Sequence, residues 1–219
     1  IELNRRETLE VMFATALAGA TFVPINHRAK AEEIQYMLNR VEVKVAFVGP
    51  RYLPMVLSVR EQVPSLHTVV TFDPEQKASG VAVYEEFIQQ GEVPLFFPPD
   101  EIQDSDLAVL MFTSGSTSKP KPVMLTHEDL SNYVMGQTDV FDGTPKGSTL
   151  MSAPNYHIAG LTGMILSIYG GRTLVLLPQF EASQWLETVQ REKCTHAFLV
   201  PTMMKRLLDH PDFDRYDLS

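Results

Sequence analysis

The chain has 219 residues, 44% of them hydrophobic, and a formal net charge of -9, which is enough apolar material for one large domain or two small ones. The acidic balance, with no basic stripe, excludes a polyanion such as nucleic acid as the main partner, because few counterions could be released on binding. No apolar run reaches the roughly 18 residues that cross a bilayer, and the opening IELNRRETLE lacks a signal-peptide pattern. The expected location is therefore cytoplasmic; Cys194, the only cysteine, rules out an intrachain disulfide or a cysteine-rich metal site and is compatible with a reducing compartment.

Leu9, Phe13, Ala16 and Leu17 recur at helical spacing and predict a helix with Gly19 as its stop, followed by a strand over 22–25. Ile34, Met37, Leu38 and Val41 mark one face of a second helix, with Glu32 and Glu33 near its positive end. A strand over 44–48, a helix over 54–63 and a strand over 68–72 continue the alternation, which implies parallel strands covered by helices. Residues 73–106, with Pro74, Pro94, Pro98 and Pro99, read as a loop-rich connection with one short helix over 84–90. Leu95, Phe96 and Phe97 are too apolar for a solvated linker.

An apolar strand over 107–112 then runs into FTSGSTSKPKPVMLTH, residues 112–127. Ser114, Gly115, Ser116, Thr117 and Ser118 offer small hydroxyls and unhindered N–H groups, and Lys119 and Lys121 add positive charge, a mixture that suits phosphate. The phosphate-loop pattern G-x-x-x-x-G-K-[ST] fails, because Pro120 stands where its second glycine belongs. By composition alone the stretch is also compatible with a solvated surface turn.

Beyond it, a strand covers 123–125, and Thr126 caps a helix starting at His127, with Asp129 in its first turn and His127 in a structural role. A strand over 149–152 leads into APNYHIAGLTG and a helix over 161–169 that ends at Gly170 and Gly171. A buried strand over 173–177 comes next, then a helix marked by Trp185, Leu186 and Val189, and a strand over 197–200. Pro201 and Thr202 open a last helix with Met204, Leu207 and Leu208 on one face and Met204 in the core, while Met203 suits an adaptable apolar pocket. His157 beside Tyr156 leaves a structural and a chemical role both open.

The run from Thr113 to Lys121, T-S-G-S-T-S-K-P-K, with Asp106, Ala108 and Phe112 ahead of it, resembles the signature of the adenylate-forming, AMP-binding enzymes, which include acyl-CoA synthetases, peptide-synthetase adenylation domains and luciferases. Ala16, Gly19, Ala20, Pro24, Ile25 and Asn26 are similar to another family segment. Pro154, Tyr156, His157 and Gly160 fit its P-x-[YF]-H-x-x-G stretch, and Val200, Pro201 and Thr202 resemble a turn of the acyl-CoA synthetases in particular.

The resemblance implies an α/β fold of layered parallel sheets flanked by helices. Residues 1–219 would form part of the large N-terminal domain, with the phosphate loop at 113–122 and the small C-terminal domain absent. It implies a two-step reaction in which a small carboxylic acid attacks ATP to give acyl-AMP, and the thiol of CoA then takes the acyl group. Thr113, Ser114, Gly115, Ser116, Thr117, Ser118 and Lys121 would bind the nucleotide phosphates. Tyr156, His157, Gly160 and Thr202 would bind the acid, with His157 the catalytic candidate. His157 would contact the reacting carboxylate and not act as general base, since an ionised carboxylate has no proton to lose. Mg2+ is expected with ATP, with its ligands downstream of residue 219, and a homodimer is compatible with the reading.

Two positions depart from the family pattern, since Ser118 and Pro122 stand where glycines are usual. Serine adds a Cβ, and proline fixes φ near about -65° and removes an N–H. One alternative is therefore a ligase that only thioesterifies a preformed acyl-adenylate; another is a non-catalytic acyl-ligand-binding protein.

Overall fold

A computed structural model describes residues 1–76, 78–91, 101–113 and 119–218. The chain divides into two compact units, residues 1–3 with 7–125 and residues 4–6 with 126–219.

In the first unit, β1 (Val45–Val48), β2 (Thr68–Thr71) and β3 (Val81–Val83) form a parallel sheet in that order. Successive side chains on a strand point to opposite faces, and both faces are covered here. On one, Ala46, Val48 and Val69 pack with Ile34, Met37 and Leu38 of α2 (Ala31–Arg40) and Val56 of α3 (Leu53–Val59). On the other, Phe47 and Val70 pack with Val11 of α1 (Arg6–Leu17) and Tyr84 of α4 (Tyr84–Gln89). Val69 and Val70 are both fully buried, which accounts for the continuous apolar run of a doubly covered parallel strand. The Tyr84 hydroxyl donates to Glu10 Oε2 at 2.8 Å and ties α4 to α1; desolvation, with that bond, raises the Tyr84 pKa. Glu33 caps α2 by accepting from the Lys30 N–H at 2.8 Å.

β4 (Leu107–Thr113) and β5 (Lys121–Thr126) form a second, two-stranded sheet. The expected strand over 22–25 is reduced to one parallel bridge, in which Phe22 N–H donates to Ala108 O and Phe22 O accepts from Leu110 N–H, both at 2.9 Å. Pro24 has no N–H with which to extend it. The helix α1 buries Val11 and Met12 while Phe13 and Leu17 are 38% and 49% exposed, so the expected face is not the buried one. This helix is apolar around much of its circumference, and spacing could not select a side. The short strand β3, three residues between a turn and a helix, carries too little pattern to be foreseen. Leu95, Phe96 and Phe97 lie outside the described residues.

In the second unit, β6 (Ser148–Met151) lies between β7 (Thr173–Leu176) and β8 (His196–Phe198), all parallel, in the order β7-β6-β8. Leu150 joins Trp185, Leu186 and Val189 of α7 (Ala182–Glu192) and Leu207 of α8 (Pro201–Leu208). The next residue, Met151, points the other way and lies against Gly163 of α6 (Ile158–Tyr169). The helix α5 (His127–Met135) packs on α6. Of the face expected on α8, only Leu207 is buried; Met204 and Leu208 are 50% and 62% exposed, against the core position expected for Met204. The strand β7 is only partly buried, with Thr173 exposed and Leu177 just beyond it buried, as an outer strand of this sheet. No helix among the described residues is long and apolar enough to cross a membrane.

Candidate adenylate and acid site

The signature stretch belongs to the first unit. Thr113 is the last residue of β4, exposed, and its hydroxyl lies 3.5 Å from the carbonyl oxygen of Lys121, so the two ends of the stretch are drawn together. Lys121 and Pro122 are the first residues of β5. The loop proper is therefore shorter than the 113–122 expected, and the donor that Pro122 lacks is a strand N–H, not one at the centre of the loop. Lys119, read from sequence as charge for phosphate, has its ammonium 5.0 Å from the ring centroid of Tyr36 on α2, within cation–π range. Ser114, Gly115, Ser116, Thr117 and Ser118 lie outside the described residues.

The other candidates belong to the second unit. After Met151 the chain leaves β6 through residues 152–157 and enters α6 at Ile158. The His157 N–H donates to Pro154 O at 3.1 Å, and its carbonyl accepts from Leu161 N–H at 3.0 Å, so one residue closes the turn and starts the helix. Tyr156 is buried and His157 exposed, with ring centroids 4.4 Å apart. Partial burial of the imidazole lowers its pKa from 6.5, which favours the neutral ring near pH 7. Such a ring offers a carboxylate one N–H and no full charge. Gly160 explains itself sterically: a Cβ there would run into the Pro154 carbonyl oxygen and lie 2.7 Å from its carbon.

Topology joins these residues to Thr202. Met151 is in register with Leu176 on one side and with Phe198 on the other, so the carboxyl ends of the three strands are level. The connection β6–α6–β7 goes to one side of β6, and the chain then crosses back to place β8 on the other. The gap between the ends of β6 and β8 is thus a switch point of a parallel sheet, the place where open α/β folds bind ligands. The turn carrying Tyr156 and His157 leaves β6 there, and the turn carrying Pro201 and Thr202 leaves β8 beside it. Thr202 is exposed in the first turn of α8.

Sequence reasoning missed Asn4. Its buried side chain donates from Nδ2 to Ala153 O at 2.8 Å and to Leu177 O at 3.1 Å, and its Oδ1 accepts from Asn155 N–H at 2.9 Å. No local pattern announces an asparagine whose partners lie about 150 residues away. Among the described residues no three His, Cys, Asp or Glu side chains converge to hold a metal ion.

The model of the AMP-binding enzyme family matches residues 2–219. The chain is 28% identical over 217 residues to an indoleacetate–CoA ligase of Aromatoleum aromaticum, covering 99% of this chain and 42% of that protein. It is 30% identical over 234 residues to the acyl-CoA ligase sidI of Aspergillus fumigatus, covering 99% of this chain and 39% of that one. A solved anthranilate CoA ligase in complex with anthranoyl-AMP superposes with a TM-score of 0.89 at 26% identity, over 100% of this chain and 42% of that structure. The chain thus spans about two fifths of the length of the relatives it matches. With the family model covering nearly every residue and both motif stretches inside the match, the chain belongs to the AMP-binding enzyme family.

Proposed function

We propose that the protein carrying this chain is an acid–thiol ligase that activates a small carboxylic acid with ATP and passes the acyl group to CoA. The observation that carries the reading is the P-x-Y-H-x-x-G turn at the carboxyl end of β6, beside the turn of Thr202, in a chain whose relatives include named CoA ligases. In the first step a carboxylate oxygen attacks the α-phosphorus of ATP, forming the acyl–phosphate bond and expelling pyrophosphate. In the second, the thiolate of CoA attacks the acyl carbon, the thioester forms and AMP departs.

Neither step needs a covalent protein intermediate, so the residues contribute position and charge stabilisation. Thr113, Ser114, Gly115, Ser116, Thr117 and Ser118 would donate hydroxyl and main-chain hydrogen bonds to phosphate oxygens, and Lys121 would add charge. Tyr156 and Gly160 would shape the acid channel, with Thr202 on its other wall. The neutral His157 would donate to the carboxylate. Mg2+, bound together with ATP, would neutralise triphosphate charge.

The full-length protein, given ATP, CoA and in turn indole-3-acetate, anthranilate or octanoate, is expected to release AMP and form the CoA ester of at least one acid, read by mass spectrometry. The corresponding synthetic acyl-adenylates with CoA form the parallel arm. Ester from both arms supports the reading, and ester from the adenylates alone replaces it with a thioesterifying ligase. Binding of an acyl-adenylate with no turnover in either arm identifies a ligand-binding protein instead.

A further inference from the structure

Four hydrogen bonds from one residue meet the chain where β6 and β7 end. Asn4 reaches Ala153 O and Leu177 O through Nδ2, Asn155 N–H through Oδ1, and Pro178 O through its own main-chain N–H at 3.2 Å. Residues 153 and 155 lie past the last ladder residue of β6, and 177 and 178 past that of β7. A primary carboxamide supplies two N–H donors and an acceptor in one plane, matching two strand-end carbonyls and one turn amide. At 4% exposure, water cannot substitute for these bonds. Tyr156 and His157 follow Asn155 directly, and their turn is also closed by the His157 N–H to Pro154 O bond, with Gly160 packed close to Pro154.

We propose that Asn4 is a positioning residue of the acid site. It fixes the height of residues 153–155 above the strand ends, and thereby the point at which Tyr156 and His157 meet the carboxylic acid, without touching a reacting atom. The proposal rests on the reading of Tyr156 and His157 as acid-pocket residues. A purely structural asparagine would support the fold as a whole and affect both substrates alike.

Asn4→Asp in the full-length protein separates the two. The substitution keeps size and shape but turns the donor nitrogen into an oxygen facing two carbonyl oxygens; once protonated, the carboxyl regains one donor. Steady-state kinetics use indole-3-acetate, or the acid turned over best among the three named above. At pH 8 the KM for the acid should rise tenfold or more relative to wild type, with the KM for ATP within twofold, and the defect should shrink as the pH falls toward 6. Equal changes in both KM values, or a loss of thermal stability alone, would overturn the proposal.

Tyr156→Phe and His157→Ala are measured alongside. If they raise the acid KM and Asn4→Asp does not, only the role of Asn4 fails; if none of the three affects the acid, the pocket reading fails with it. Should the variant not fold, hydrogen exchange on the wild-type protein decides. The Asn155 amide should be as protected as the β6 ladder amides, and exchange at the rate of an exposed loop would remove the proposed anchor.

Discussion

Gly160 lies within the first turn of α6, where alanine would ordinarily favour the helix by about 0.5–1 kcal/mol. The Pro154 carbonyl reverses that preference, because a Cβ at 160 meets main-chain atoms that cannot rotate away. At Gly163 the nearest atom is the terminal methyl of Met151, 2.6 Å from the built Cβ, and a flexible thioether can move. We therefore expect Gly160→Ala to destabilise the protein by about 1–3 kcal/mol and to raise the acid KM. Gly163→Ala should be the milder change on both counts, with urea denaturation and acid titration as the measurements. The need for glycine at 160 was legible through the P-x-Y-H-x-x-G pattern, but the atom it avoids was not, since that depends on how the helix returns over the turn.

The helix α5 owes its start to a pair of reciprocal bonds: Thr126 Oγ1 accepts from Asp129 N–H at 3.1 Å, and Asp129 Oδ2 accepts from Thr126 N–H at 2.9 Å. Thr126→Ala should cost about 1 kcal/mol of stability, as loss of an N-cap does. The main-chain bond from Thr126, followed by its side-chain bond, lowers the Asp129 pKa below its usual 3.8. A carboxylate with a lowered folded pKa contributes stability that is complete above its unfolded pKa and is lost as pH falls through the folded value. The acid limb of a stability profile should accordingly flatten in Asp129→Asn, whereas Thr126→Ala should lower the curve at neutral pH; urea midpoints between pH 2 and 7 test both. This cap was readable because all its parts lie within four residues. The cap of α7 was not, since Glu181, which accepts from Ser183 N–H at 3.2 Å and Gln184 N–H at 2.8 Å, is not a customary N-cap residue.

At the scale of the whole molecule the two motif stretches fall in different units, the phosphate signature in residues 7–125 and the acid turn in residues 126–219. Each should govern its own ligand. The double substitution Thr117→Ala and Lys121→Ala should weaken binding of a nonhydrolysable acyl-adenylate analogue about ten- to a hundredfold in calorimetry, as expected for a lost charge-assisted phosphate bond of roughly 1.5–3 kcal/mol. The His157→Ala substitution should leave the affinity for AMP alone within twofold. Unchanged analogue affinity in the double variant would remove the phosphate assignment from 113–121.

The sequence by itself determined the alternation of helix and strand, the positions of α2, α3, α5, α6 and α7, and the two motifs, because each depends on a periodicity or cap contained in a dozen neighbouring residues. It could not select the buried side of α1 or α8, since each carries apolar residues on more than one face and only the neighbours decide which is covered. Nor could it place Thr202 next to the turn of His157. That follows from strand order, in which β8 pairs with the side of β6 that β7 leaves free, and no local pattern in the sequence carries strand order. Asn4 is the limiting case: the chain contains other asparagines, and what distinguishes this one is that three main-chain groups, distant in sequence, converge on its carboxamide as hydrogen-bond partners.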